Sequence, residues 1–326
     1  SDSNTAVGGY SLHTNTTGSS NTAMGVSSLR ANTTGTVSTA VGMEALCGQT
    51  TGDNNTGVGY QALKVSTTGK FNVAMGNGAL VANTTGCCNT AIGWRSMCSN
   101  TTGANNTAIG RNSLQGNTTT SGNTAIGKCA LSENVAANNT AVGHSAMEIN
   151  NSGTQNTAMG AYALDANTSA EENSAFGDNA LGANTTGSYN TAVGSCTLST
   201  QAAGAVGNTA VGRYALRGNT TGDYNVAMGY GALAANTTGV NNVALGMNAM
   251  GVKEGGNDNT AVGNYAACCM TTGGINTAVG SSAMERITTG TTNVAVGVLS
   301  VKGTTTGTGN TGIGYASGCS TVTGNC

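Results

Sequence analysis

The sequence predicts an all-β fold: a parallel β-solenoid, or β-roll, of about 19 coils of 17 residues, spanning 1–326 as a single repeat domain. Three observations carry this reading. The phrase Asn-Thr-Ala-Val-Gly and its variants recur from end to end, with units starting at 4, 21, 38, 55, 72, 89, 106, 123, 139, 156, 173, 190, 208, 225, 242, 259, 276, 293 and 310. Within the unit, residue types obey a strict positional mask. The chain also lacks the large side chains of an ordinary globular core, since aromatics make up 4% of it and charged residues 7%.

The consensus is N-T-A-V-G-x-x-A-L-x-x-N-T-T-G-x-x, numbered here from one to seventeen. Position five is Gly in every unit, position four is a large apolar residue such as Val7, Met24, Ile92 or Phe176, and position eight is Ala, Ser or Thr. Charges never fall at one to five, eight, nine, fourteen or fifteen. A disordered chain rich in Gly, Asn and Thr has no reason to keep such a mask.

The elements follow in order. Positions two to four alternate with the period of a strand, so Thr or Val at two and the apolar residue at four are expected on the core face, with small Ala at three on the other. The invariant Gly marks a turn. Ala-Leu at eight and nine reads as a second short segment, and Asn-Thr-Thr-Gly as a second corner. Asn at one and twelve should form columns through the stack. One coil buries too little to offset the entropy of ordering it, so the coils must stack. Unit 123–138 is one residue short and unit 190–207 one residue long; both irregularities lie between position nine and the next Asn, where a corner can absorb them.

Several function classes are excluded by the same residues. A net charge of −2 without basic clusters argues against a nucleic-acid partner. No apolar run reaches membrane-spanning length, so no membrane insertion is expected. "GNTAIGKC" at 122–129 scans as Gly-x-x-x-x-Gly-Lys, but it lacks the following Ser or Thr and the strand-loop-helix context that cradles a phosphate. His13 and His144 sit on distant coils, and Asp is too sporadic for a calcium ladder. The chain is therefore read as a non-enzyme with no catalytic, cofactor or metal site.

The repeat phrase resembles those of bacteriophage and related viral tail-fibre proteins, and more distantly the head repeats of trimeric autotransporter adhesins. The resemblance covers 4–326. It implies a parallel side-by-side homotrimer whose small-residue strand faces approach one another, forming the shaft of a fibre or adhesin at a virion surface or in the extracellular space and serving attachment. Two features depart from those families: the self-cleaving chaperone segment is absent, and adhesin head repeats are usually shorter than 17 residues. Two other functions stay open. One is a self-assembling extracellular filament. The other is an ice-binding (antifreeze) solenoid, favoured by ranks of Thr at two, thirteen and fourteen but opposed by the adjacency of the last two, which point to opposite sides.

Candidate contact residues lie mainly at the corner after the invariant Gly: Tyr60, Trp94 with its neighbour Arg95, Tyr162, Tyr214, Tyr230 and Tyr265. They read either as corner packing and chain contacts or as a platform for host-surface carbohydrate. The ten cysteines occupy variable corner positions. They read as free thiols of a protein assembled in a reducing compartment, or as inter-chain disulfides with the vicinal pairs Cys87-Cys88 and Cys268-Cys269 as candidates. If the Ala face at position three lines the contact between chains, replacing Ala108 and Ala125 by Glu should prevent trimer formation in light scattering, and Gln115→Glu should be silent.

Overall fold

The computed structural model describes residues 3–201 and 204–318. Each unit contributes one three-residue strand at positions two to four, from Thr5–Val7 to Thr311–Ile313, and no helix occurs among the described residues. The coils form two compact units, Ser1–Asn156 and Thr157–Cys326. Within each, neighbouring strands pair in parallel with like on like: Ala23 on Ala40 in the first, Ala261 on Ala278 in the second. The β-solenoid read from the period is therefore the fold. Both length irregularities are absorbed away from the strands, since Thr124 pairs with Thr140 across the short coil and Thr191 with Thr209 across the long one.

The sidedness of the strand is opposite to the expectation. Ala at position three is fully buried, as in Ala23, Ala40, Ala108 and Ala125, whereas the apolar residue at four faces outward, as in Met24, Met75, Met159 and Phe176. The cause is width. Leu at position nine reaches into the same narrow interior from the opposite side of the coil, and the contact is close: a Cβ added at Gly57, a position-three glycine, would lie 3.2 Å from Leu46 Cγ. Two large side chains cannot meet in that space, so the small residue takes the inside. The core is a rank of Ala at three, Ala or Ser at eight and Leu or Met at nine. Position three consequently cannot be the surface where chains approach one another.

The second segment also differs from its expectation. Positions six to eleven form turns rather than a second strand, except where Glu133–Asn134 and Ile149–Asn150 pair in parallel in two neighbouring coils. The turns rely on left-handed backbone at positions seven, nine and seventeen, with φ of 57° at Ser27, 47° at Leu29 and 56° at Val37. Each such residue costs on the order of 1 kcal/mol. The stack offsets it because those residues bond coil to coil: Leu29 N donates to Ala45 O at 3.1 Å, and Val37 N to Ser19 O at 3.0 Å. At position five only Gly fits, since a Cβ on Gly25 would lie 2.5 Å from Gly42 O in the next coil, at a φ of 139°.

Asparagines at position one in all but the Ser38 coil, and at position twelve in most coils, close the coil and join it to the next; beyond the first coil they are buried. In the coil that starts at Asn89, the side-chain amides of Asn89 and Asn100 both donate to Gly103 O, at 2.8 and 3.0 Å. Asn89 Oδ1 accepts the Asn106 backbone N–H of the following coil at 3.0 Å, and Asn100 Nδ2 also donates to Asn83 Oδ1 of the preceding one at 2.9 Å. All of these side chains are buried. A third link runs along the outside, where Thr101 Oγ1 donates to Thr118 O at 3.1 Å.

Position twelve also holds Gln49, Ser66, Gln201, Met270, Ile287 and Thr304, but Lys253 is the one charged interruption of that column. It occupies position twelve, is completely buried, and points its Nζ at Gly255 O and, at 3.2 Å, at Gly273 O. Asn236 Oδ1, one coil earlier, is left buried without a partner. Burial pulls the ammonium pKa down from 10.5 to about 8. Below pH 8 the ammonium is charged in the folded and unfolded chain alike, so its full desolvation cost weighs on the fold; above 10.5 it is neutral in both and that cost is gone.

Lys253 should therefore add stability to urea as pH rises from 8 to 10.5, opposed above pH 9 by the buried Cys268 thiol, and Lys253→Asn should raise stability at pH 7 by about 2 kcal/mol and lose the Lys253 part of the rise. An unchanged pH profile in the variant would remove Lys253 as the cause. Ala108→Glu, with its carboxylate inside the coil, should reduce the strand signal in circular dichroism and lower the thermal midpoint rather than yield a folded, dissociated chain.

Candidate functional site

Positions six, seven, ten and eleven belong to the turn run after the strand, so their side chains vary without disturbing the core. Tyr60, Trp94, Tyr162, Tyr230 and Tyr265 are all exposed on this flank, Arg95 likewise, and Tyr214 is half-buried. The stack brings some of them together. Arg111 of the following coil stands over the Trp94 ring at 4.9 Å, with Arg95 at 5.5 Å. Exposed Lys128 and His144 continue the same position in the next two coils, 3.5 Å apart. In the second unit Tyr214 and Tyr230 meet edge to face at 5.8 Å, while Arg213 and Arg217 cover the Tyr214 ring at 4.3 and 5.2 Å. Arg213 Nη2 also donates to Tyr214 Oη at 2.6 Å.

Three clefts open on this flank. One of about 490 Å³ lies among Tyr214, Arg217, Tyr230, Gly231, Ala234 and Asn248. A second, of about 350 Å³, is formed by Gln61, Asn77, Gly78, Val81, Trp94 and Arg95. A third, of about 590 Å³, lies between Tyr10, His13 and Arg30. Each holds an aromatic ring and a guanidinium, and none is lined by a carboxylate. Tyr60, Tyr162 and Tyr265 line none of them. Arg111, Arg217 and Asn248 were not singled out by the sequence reading, although adding 17 to Trp94 leads directly to Arg111.

The cysteine pairs differ from each other. Cys268 Sγ and Cys269 Sγ approach to 3.4 Å without a bond, and burial, followed by the hydrogen bond to Cys269, pushes the Cys268 thiol up to about 12. Cys88 is exposed, whereas Cys87 is half-buried with its sulfur against Thr85 O and Lys70 N. The eight described cysteines are free in the chain; Cys319 and Cys326 lie outside the described residues. No group of three or more His, Cys, Asp or Glu suited to a metal ion occurs among the described residues.

The chain matches no protein-family model and no curated protein. The functional reading therefore rests on its own geometry and on the repeat phrase.

At pH 8 a soluble thiol reagent followed by peptide mapping should label Cys88 at least tenfold faster than Cys268, because a thiol with a raised pKa holds almost no thiolate there. Equal rates would contradict the burial of Cys268.

Proposed function

We propose that this chain is the shaft of a viral tail fibre or comparable surface fibre, assembled as a side-by-side homotrimer and serving attachment at a virion surface or in the extracellular space, with host-surface carbohydrate among its contacts. The observation that carries the reading is the outward rank at position four. Val, Met, Ile, Leu and Phe stand there coil after coil, with Met24 45% exposed, Met228 46% and Ile126 37%. At on the order of 50 Å² of apolar surface each, a rank along one unit leaves roughly 500 Å² uncovered, near the upper end for monomeric proteins. Covering it returns roughly 1 kcal/mol per coil. A second copy of the same rank is the simplest cover, because its repeat has the same spacing. The contact between chains in this reading is the Thr and apolar face of the strand, not the Ala face.

A second reading has an observation of its own. Thr at position two and the apolar residue at four share the outward face of an in-register sheet, as in Thr90-Ala91-Ile92 above Thr107-Ala108-Ile109. A regular Thr and apolar lattice suits an ice surface. The same face thus serves both readings, and solution state separates them.

Sedimentation should give a trimer, and Ile109→Asp with Ile126→Asp should give a monomer that keeps its strand signal. A native monomer that shows thermal hysteresis, lost in the same variant, would replace the fibre by the ice-binding reading.

A further inference from the structure

The sequence places Gly at position seven in two coils, Gly78 and Gly231, and each lies in one of the clefts of the turn flank. At Gly78 an added Cβ would meet only Arg95 Cγ, at 3.7 Å. At Gly231 an added Cβ would lie 2.4 Å from Asn248 Oδ1, so any other residue would push into the polar wall of the cleft. Around both glycines the same three chemistries recur. An exposed aromatic ring, Tyr230 or Trp94, forms one wall. A guanidinium, Arg217 or Arg95, adds positive charge with no carboxylate on the lining. Primary amides complete each cleft: Asn248 in one, and in the other Asn77 and Gln61, whose Nε2 donates to Glu44 Oε2 at 2.8 Å.

We infer that the clefts at Gly231 and Gly78 bind acidic saccharides, meaning sugar rings that carry a carboxylate or a sulfate. The C–H face of a pyranose packs on an aromatic ring, its hydroxyls exchange hydrogen bonds with amides, and its anionic group pairs with the guanidinium. The clefts have the size of small-ligand sites. Single-stranded nucleic acid would also stack on rings beside arginines, but it needs a longer basic track than the Arg95, Arg111 and Lys128 column beside Trp94, and the second cleft has no such column. Net charge here is −2. The inference specifies the carbohydrate contact of the proposed function and does not depend on the oligomeric state.

The test is titration calorimetry on the intact chain, with its oligomeric state recorded separately so that failure of the fibre reading and failure of this one are distinguishable. The probes are a galacturonic acid trimer, a sulfated galactose trimer, neutral galactotriose and a thymidine oligonucleotide. At least one acidic trimer should bind fivefold or more tighter than galactotriose, and which one does so identifies the anionic group. Arg95→Ala with Arg217→Ala, carrying Arg30→Ala to silence the third cleft, should abolish that preference while leaving the thermal midpoint in place. Trp94→Ala with Tyr230→Ala should weaken all saccharides about tenfold, and Arg286→Ala, outside the clefts, should change nothing. Equal binding of acidic and neutral trimers, a preference that survives loss of the three arginines, no saccharide binding at all, or oligonucleotide binding as tight as that of the acidic trimers would each overturn the inference.

Discussion

The buried asparagine amides are the constraint from which the rest of the fold follows. An amide inside an apolar coil must find partners there or lose several kcal/mol, and in this chain its partners are one glycine carbonyl of its own coil and groups one coil away. This arrangement fixes the phase of each coil rather than its length: across the short and long coils the Asn139 and Asn208 backbone N–H groups still donate to Asn123 and Asn190 Oδ1, at 3.0 and 2.9 Å. It also fixes the register without long strands. Three strand residues per coil suffice because the side chains at one and twelve specify the stacking.

Much of this was legible in the sequence, and for a definite reason. A 17-residue period and the Asn, Gly and Ala positions recur in nearly every coil, so each unit reports the same constraint again. The sidedness of the strand was not legible, because alternation says that Ala23 and Met24 point opposite ways but not which way is in. Large-inside, small-outside is a sound rule for a sheet packed on a thick core. In a coil whose interior is already filled from the far side by Leu29, it inverts. The left-handed backbone at Leu29 was equally hidden, since nothing in a leucine announces it; its origin lies in the tight turn the stack imposes.

The candidate site was legible in part. Trp94, Arg95, Tyr214 and Tyr230 stand out as rare residue types in a bland repeat, and the structure gathers them in two clusters. Two of the clefts also contain a glycine at position seven, Gly78 and Gly231, and a glycine in a chain with 52 of them attracts no notice until it is compared position by position. Core and flank are thus separate vocabularies. The core repeats one sentence, and the flank varies because the ladder there runs mainly through backbone groups, with side-chain links such as Glu44 to Gln61 and Lys64 made only in some coils.

That ladder has a consequence for how the gene can change. Every coil-to-coil bond described joins immediate neighbours, so an interior coil removed whole, or copied whole, leaves every remaining coil with a neighbour of the same pattern. Seventeen codons are the natural quantum of variation, and slippage between near-identical units changes the length of the stack without touching its chemistry. Single-codon slips meet the opposite fate: they are tolerated only at the far corner, where the short coil and the long coil carry theirs, and anywhere else they would put every later asparagine out of phase.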